Sequence, residues 1–250
     1  MQVQRMRGFA SSILLTIACA GSAAAETGLD EPWLRLRAEL VDEIEREVRE
    51  TRYYTGISRL NPRVIRVIGL VPRHEFVPAS QQRWAYENRP LPIGHGQTIS
   101  QPYIVALMTD LLDPQPDHVI LEIGTGSGYQ AAVLAELVRS VYSIEIVEPL
   151  ARSAAQRMTR LGYPNVEVKH ADGYFGWPEH GPFDGIIVTA AGSRIPPPLI
   201  DQLKPGGKMI LPVGGRFTAQ HLVLVDKQAD GTVTTRQILP VRFVPLTRER

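Results

Sequence analysis

The sequence predicts a doubly wound α/β fold with a mainly parallel sheet, an antiparallel C-terminal edge and a helical N-terminal extension. Three observations carry this. From Pro102 onward, short apolar runs alternate with helical stretches, the texture of strands joined by helical crossovers. One run, Val119-Ile120-Leu121-Glu122-Ile123, passes straight into the glycine-rich turn Gly124-Thr125-Gly126-Ser127-Gly128, as a buried strand entering a tight turn before a helix does. The last two runs, His221–Lys227 and Thr234–Phe243, are separated by Asp230-Gly231, a hairpin signal that makes the closing pair antiparallel.

Composition sets the outer bounds. The chain has 250 residues, 44% hydrophobic and 21% charged, with 21 Gly and 20 Pro in no short period. That excludes collagen-like, coiled-coil and wholly disordered chains, and leaves length for one sizeable core. A formal net charge of +1 supplies no basic field, so neither nucleic acid nor an anionic membrane is expected as a partner. A single cysteine, Cys19, excludes an intrachain disulfide and a multi-cysteine zinc site. No His/Asp/Glu group has metal-ligand spacing, and no metal is expected.

At the N-terminus Arg5 and Arg7 precede an apolar run from Phe9 to Ala20, and Ala23-Ala24-Ala25 follows. A basic start, a short apolar stretch and an A-x-A site are the three parts of a secretory signal peptide. The run is shorter than the ~20 apolar residues a membrane span needs. Residues 1–25 are therefore expected to be cleaved on export to the periplasm or beyond, with no stable membrane insertion of the remainder. Two other readings stay open. Thr16-Ile17-Ala18-Cys19 loosely resembles a lipoprotein processing site, and an uncleaved or misread N-terminus would leave the protein in the cytoplasm.

Residues 26–250 then read as a single domain, with N-terminal helices and a long loop over 26–102 and the sheet over 103–250. Trp33, Leu36, Leu40, Ile44 and Val48, in steps of three and four, mark one face of a helix over Glu31–Tyr54. Pro62 opens a second helix to Ile68, since proline suits a first helical turn; Arg63, Val64 and Val67 are its packing residues. Val71–Pro102 is rich in Pro, Gly, His and Gln without periodicity, too long an irregular stretch to be idle in a compact domain. A helix follows at Tyr103–Leu112, then a strand at His118–Ile123, a helix at Gly128–Val138, a strand at Val141–Ile146 and a helix at Pro149–Leu161. Further strands are expected at Val166–His170, Asp184–Ala190 and Lys208–Val213, the last preceded by a turn at Leu203–Gly207.

Glycines let a backbone approach a ligand closely, and the helix after them offers free N–H groups. The dinucleotide pattern G-x-G-x-x-G/A needs a small sixth residue for close helix packing, and Tyr129 stands there. The spacing is instead G-x-G-x-G, with Glu122 two residues before the first glycine. This resembles the first motif of class I S-adenosylmethionine-dependent methyltransferases. The resemblance implies that Glu122, Gly124, Thr125, Gly126 and Gly128 surround the cofactor, the carboxylate facing its amino group or an ordered water network. It implies that Glu145, ending the next strand, accepts from both ribose hydroxyls, and that Asp172-Gly173 meets the adenine edge. Phe183–Val188 and Leu203–Gly207 complete five features in the expected order, which a lone glycine motif does not offer. An α/β fold that has lost its cofactor is the alternative, because fold alone does not establish function.

The irregular segment narrows the acceptor. Val71-Pro72-Arg73-His74-Glu75-Phe76-Val77-Pro78, Tyr86 and the run from Pro90 to Tyr103, with Leu211-Pro212-Val213-Gly214 and Val241-Arg242-Phe243-Val244-Pro245-Leu246, resemble the protein-L-isoaspartate O-methyltransferase family. The resemblance spans about Leu60 to Leu246, and Gly94–Pro102 is its most specific part. It implies methyl transfer from S-adenosylmethionine to the free α-carboxylate of L-isoaspartyl residues in damaged peptides and unfolded proteins. The ester then collapses to a succinimide. Such an acceptor is already ionised at neutral pH, so alignment and exclusion of water, rather than a strong base, are required.

Ser100 matches the family's active-site serine and is expected to orient the acceptor, not to act as a nucleophile, since no triad surrounds it. Thr98 and Ile99 are expected beside the cofactor, Gln97, His95 and Pro102 at the acceptor, and Gln220 near the cofactor from the C-terminal half. His74 and His95 are read as structural or peptide-contacting, and His118 as a surface residue. The implied form is a monomer. Usual family members are cytosolic, where the cofactor is made, so the export signal leaves three situations: an active periplasmic enzyme, a cytosolic one with a misread start, or an exported non-catalytic peptide-binding relative. A class I methyltransferase with a small-molecule acceptor is the enzymatic alternative.

Overall fold

The computed structural model describes residues 31–215 and 218–248; the expected signal peptide and Cys19 lie outside them. Two helices lead, α1 (Glu31–Thr55) and α2 (Pro62–Leu70), followed by two short 3₁₀ turns at Arg73–Phe76 and Ala79–Trp84 and a small hairpin of β1 (Leu91–Gly94) and β2 (Gln97–Ile99). Helix α3 (Pro102–Leu112) introduces the sheet strands β3 (Val119–Ile123), β4 (Ser140–Glu145), β5 (Val166–His170) and β6 (Phe183–Val188). Helices α4 (Tyr129–Ala135) and α5 (Glu148–Leu161) make the first two crossovers, and α6 (Pro197–Asp201) precedes β7 (Leu203–Val213), β8 (Gln220–Lys227) and β9 (Val233–Val241).

The strands form one sheet in the order β5-β4-β3-β6-β7-β8-β9. Pairs from β5 through β7 are parallel, and β7-β8-β9 closes antiparallel. The doubly wound fold with an antiparallel edge is as expected. Side chains alternate across the pleat, and in the central strands both alternating sets are apolar. Ile120, Ile187 and Ile210 pack with α1 to α4 on one face, while Leu121, Ile123, Ile186, Val188, Met209 and Leu211 form a second cluster with Trp177 and Leu199 on the other. Helix α3 is buried along almost its whole surface, which accounts for its apolar sequence. Helix α1 buries Leu40, Ile44 and Val48, as its periodicity requires, and the Arg236 guanidinium donates to Thr55 O at 3.2 Å, tying its end to β9.

Two expectations need correction. The segment 71–102 is not uniformly irregular: Leu91 pairs with Ile99 and Pro92 with Thr98 around a turn at His95-Gly96. Pro92, Gly94 and Gly96 hide the hairpin by breaking strand periodicity. The expected turn at Leu203–Gly207 lies inside β7. Leu203 pairs with Phe183 and Lys208 with Gly185, so the intervening residues bulge out of register while the strand resumes beyond.

Candidate active site

Topology alone places a crevice. From β3 the chain winds through α4 and α5 to β4 and β5 on one side. It then returns to β6 on the other side of β3 and continues to β7. The reversal occurs between the C-terminal ends of β3 and β6, where open α/β sheets bind ligands. Gly124 and Thr189 stand just past those two ends. Thr189 N donates to Ile123 O at 2.9 Å, and Thr189 Oγ1 donates to Gly124 O at 2.6 Å.

One cleft opens there, with about 530 Å³ of space that runs out into open solvent. Gly124, Gly126, Glu145, Gly173 and Thr189 line it, with Gln97 and Thr98 on one side and Val244–Thr247 across it. Gly124 has φ +95°, and a Cβ there would lie 2.4 Å from Thr189 Oγ1, so glycine is required both conformationally and sterically. Glu145 is only 6% exposed. Its Oε2 accepts from Gly126 N at 2.7 Å and its Oε1 from Val147 N at 2.9 Å. Each oxygen keeps a further lone pair, so the carboxylate is fixed in direction yet able to accept from a pair of hydroxyls. That pair of acceptor oxygens fits the ribose end of S-adenosylmethionine.

Other expected cofactor residues are placed differently. Glu122 is 0% exposed and faces the protein interior beside its β4 neighbour Ser143, whose Oγ donates to Glu122 Oε2 at 2.5 Å. Burial pushes the Glu122 carboxyl up to about 8, against the opposing hydrogen bond from Ser143 and with the Glu145 charge adding to the rise. Burial thus disfavours its ionised form, and the side chain supports the loop from behind rather than lining the cleft. Thr125 is also buried and shares a hydrogen bond with Ser143. Gly128, at φ +89°, starts α4, and Ile99, though part of the core, lines a small recess with Ser100, Gly124, Thr125 and Gly126. Asp172 lies next to the cleft but Gly173 forms its wall; the Asp172 Oδ1 accepts from Tyr174 N and its Oδ2 from Arg248 Nε at 2.8 Å. Gln220 is not at the cofactor cleft. Its amide donates to Phe243 O and accepts from Phe243 N at 2.6 Å, spending both ends on the backbone.

A second, wider cleft of about 1110 Å³ adjoins the first and contains Ser100, Gln101, Tyr103, Glu47, Leu239 and Arg242 among its walls. Thr98, Thr189 and Val244 border both clefts. Ser100 is half-buried. Of the residues expected around it, Gln97 lines the first cleft instead. Pro102 is buried in the first turn of α3, where its ring suits the helix start. His95 sits exposed at the hairpin turn with φ 53°, away from both clefts. His74 stacks on Trp33 with ring centres 4.4 Å apart and meets Tyr86 Oη at 2.8 Å, and His118 Nδ1 accepts from Gln115 N; both are engaged in structural contacts.

The acceptor-side loop is held by two residues to which the sequence assigned no role. Arg73 is 0% exposed. Its guanidinium donates to Ala85 O at 2.9 Å, Arg89 O at 3.3 Å and Ser100 O at 2.8 Å, and lies 4.9 Å from the Tyr129 ring centre. Burial pulls it down to about 10 while the neighbouring tyrosines oppose the fall, so it stays charged at neutral pH and carries that charge directly behind Ser100. The motif Val71–Pro78 contains Arg73, but nothing in it indicates that the side chain points inward. Glu47, from α1, accepts from Asn88 Nδ2 at 2.6 Å and from Gln101 Nε2 at 3.1 Å. Asn88 Oδ1 in turn accepts from Tyr103 N, so one helix residue braces the chain just past Ser100. Burial raises the Glu47 carboxyl, with Asn88 and Gln101 holding against it and Glu43 and Glu50 adding to the rise. No sequence signal separates Glu47 from those neighbouring acids.

Set beside known proteins, residues 45–250 match the family described as protein-L-isoaspartate(D-aspartate) O-methyltransferase. The chain is 61% identical over 94% of its length to protein-L-isoaspartate O-methyltransferase 2 of Syntrophobacter fumaroxidans, 94% of which is covered. It is 65% identical over 84% of its length to the protein of the same name from Polaromonas sp., all of which is covered. Among solved structures, a protein-L-isoaspartate O-methyltransferase superposes with TM-score 0.73 at 28% identity, over 84% of this chain and 65% of that one. A Plasmodium falciparum protein solved with S-adenosyl-L-homocysteine shares the fold, with TM-score 0.70 at 24% identity, over 85% and 99% of the two chains.

Proposed function

Because the chain belongs to the protein-L-isoaspartate(D-aspartate) O-methyltransferase family, we propose that the two adjoining clefts are its cofactor and acceptor sites and that Ser100 orients the acceptor between them. The activity is S-adenosylmethionine-dependent methylation of the α-carboxylate of isoaspartyl residues in proteins and peptides. The observation that carries the site assignment is the shared wall: Thr98, Thr189 and Val244 face both clefts, with Glu145 on one side and Ser100 on the other.

When bound, S-adenosylmethionine supplies a methyl carbon activated by a sulfonium centre. The rest falls to the chain. Glu145, fixed by two backbone N–H groups, holds the hydroxyls of the nucleoside. The Ser100 hydroxyl would donate to one oxygen of the acceptor carboxylate and leave the other free to take the methyl group, the methyl–sulfur bond breaking as the C–O bond forms and neutral S-adenosylhomocysteine leaving. Arg73, charged and buried behind the Ser100 carbonyl, favours an anion on this side of the wall and fixes the loop that presents the serine. No residue needs to remove a proton, since the acceptor carboxylate is ionised at neutral pH. The apolar walls Leu239, Phe243 and Val244 exclude water, which strengthens these charge interactions.

The test uses matched peptides carrying L-isoaspartate or aspartate at one position, labelled S-adenosylmethionine, and Ser100→Ala alongside. Base-labile label on the isoaspartyl peptide alone, reduced at least about tenfold in kcat/KM by the substitution, is the expected result. Equal labelling by the variant removes Ser100 from the mechanism. Cofactor binding with neither peptide labelled would point to a different acceptor.

The site acts within one domain spanning residues 26–250, as a monomer, after export; these parts of the reading rest on the sequence. Arg5, Arg7, the apolar run and Ala23–Ala25 support export. Fractionation of the host cell tests it: a chain beginning at Glu26 in the periplasmic fraction is expected, and a full-length cytosolic chain refutes it. Sedimentation of the purified chain tests the monomer.

A further inference from the structure

We infer that Arg248 is a further residue of the cofactor site, a positioning residue that latches the C-terminal strap Val244–Arg248 over the bound cofactor by way of Asp172. The inference rests on the cofactor cleft being the one assigned above.

The strap is stitched down at its base and fastened at its tip by different means. At the base, Gln220 clips Phe243 through both its N–H and its carbonyl. Ala191 N then donates to Val244 O, and Leu246 N donates to Ala191 O, both at 2.8 Å. Val244, Pro245, Leu246 and Thr247 consequently line the cleft together with Gly124, Gly126 and Glu145. At the tip, Arg248 Nε donates to Asp172 Oδ2 at 2.8 Å, and the guanidinium lies 3.8 Å from the Tyr174 ring centre and 5.0 Å from that of Phe175.

The two partners are unequally exposed. The Asp172 side chain is 7% exposed and that of Arg248 is 46%. Asp172 is thus a fixed, buried receptor, and Arg248 is a plug that can leave without unfolding anything. Asp172 immediately precedes Gly173, which forms the cleft wall. Arg248 therefore does two things: it holds the strap over the ligand, and it pairs with the Asp172 carboxylate that immediately precedes the cleft wall at Gly173. A ligand in the cleft can leave once the tip opens, whereas the base pairings can stay intact. An exposed ion pair alone is weak, but here one partner is buried and a stacked aromatic face adds to it.

The experiment measures binding and release of S-adenosylhomocysteine by the full chain and by Arg248→Ala and Arg248→Lys, using stopped-flow fluorescence and calorimetry. Release from Arg248→Ala should be roughly three- to tenfold faster than from the wild type, with weaker binding to match. The KM for an isoaspartyl peptide should stay unchanged, and the ligand-free melting temperature should fall by no more than a few degrees, since the ion pair forms without ligand. Arg248→Lys should recover part of the loss, since an ammonium can pair with Asp172 but cannot lie flat on Tyr174. Raising the salt should speed release from the wild type and have less effect on Arg248→Ala. Release from Arg248→Ala at the wild-type rate overturns the latch while leaving the cleft assignment standing. A larger fall in the ligand-free melting temperature with a raised peptide KM overturns it in favour of a general structural contact. Failure of the wild type itself to bind S-adenosylhomocysteine overturns the cleft assignment and the latch with it.

Discussion

Replacing Glu122 by glutamine should make the protein more stable as the pH rises, although the position belongs to the glycine-loop motif. The Glu122 carboxyl is fully buried, bonded on one side to Ser143, with its Oε1 lacking a hydrogen-bond partner. Burial is the main reason it is pushed up to about 8 from the ordinary 4.5. Between those two values the unfolded chain releases this proton and the folded chain keeps it. The folded state then binds more protons, so stability falls as pH rises through that window. The loss approaches about 1.4 kcal/mol per pH unit, or roughly 3 kcal/mol between pH 5 and pH 7. Below about pH 4.5 both states are protonated and the penalty vanishes. Glutamine has nearly the same shape as the protonated acid and no such slope. Urea denaturation of both proteins at pH 5, 6 and 7 isolates the effect, because every other titration cancels in the difference. The stability of Glu122→Gln minus that of the wild type should grow with pH by about 1.4 kcal/mol per unit. Parallel curves would show that Glu122 titrates as an ordinary carboxylate. A uniform loss in the variant would show that it is ionised and paired.

Gly124→Ala combines a left-handed backbone with a Cβ 2.4 Å from Thr189 Oγ1. Together these should cost about 2–5 kcal/mol, seen in a thermal melt as a fall in Tm of roughly 5–15 °C. Asp184→Asn tests the opposite pH sense. Burial raises Asp184, but Lys204 at 2.7 Å and Val119 N at 2.8 Å outweigh it and hold the carboxyl below its ordinary value. Its contribution is present above the unfolded value and disappears as pH falls through the folded one. The asparagine variant should lose about 0.5–1 kcal/mol at pH 7, with the difference closing as the pH falls below the ordinary carboxylate range, as urea titrations at neutral and at acid pH will show. Glu47→Ala strips Gln101 and Asn88 of their acceptor. It should raise the peptide KM by about fivefold, equivalent to roughly 1 kcal/mol, while calorimetry finds the cofactor Kd unchanged.

The parts of the fold that were legible in the sequence are those with a strict period. Leu40, Ile44 and Val48 identified α1, and the apolar runs at Val119–Ile123 and Val166–His170 identified strands to within a residue. The hairpin Leu91–Ile99 was illegible because its prolines and glycines obey turn chemistry rather than strand chemistry. Leu203–Gly207 looked like a turn because Pro205, Gly206 and Gly207 suit a bulge equally well. At the site, Gly124, Gly126, Glu145, Gly173, Thr98 and Ser100 were read off motifs, and all line one of the two clefts. Motif position does not specify which way a side chain turns, however. Glu122 turns inward, and Gln220 turns to Phe243. Arg73 could not have been singled out at all: a buried cation bonded to three carbonyl groups has no acidic partner in the sequence to give it away. Thr189 was missed because its role arises from packing, one residue past β6 against Gly124.

The shared wall of Thr98, Thr189 and Val244 has a consequence for inhibitor chemistry. These residues border both clefts, so under the proposed assignment a compound joining a nucleoside-sulfur unit to a peptide carboxylate mimic needs only a short, stiff tether. Anchoring one half would then present the other at a high local concentration, because a short link spanning two sites wastes little freedom. Affinity should peak sharply with tether length. A series differing by one methylene at a time would measure the separation of the two sites in solution, with no need to trap the reacting complex.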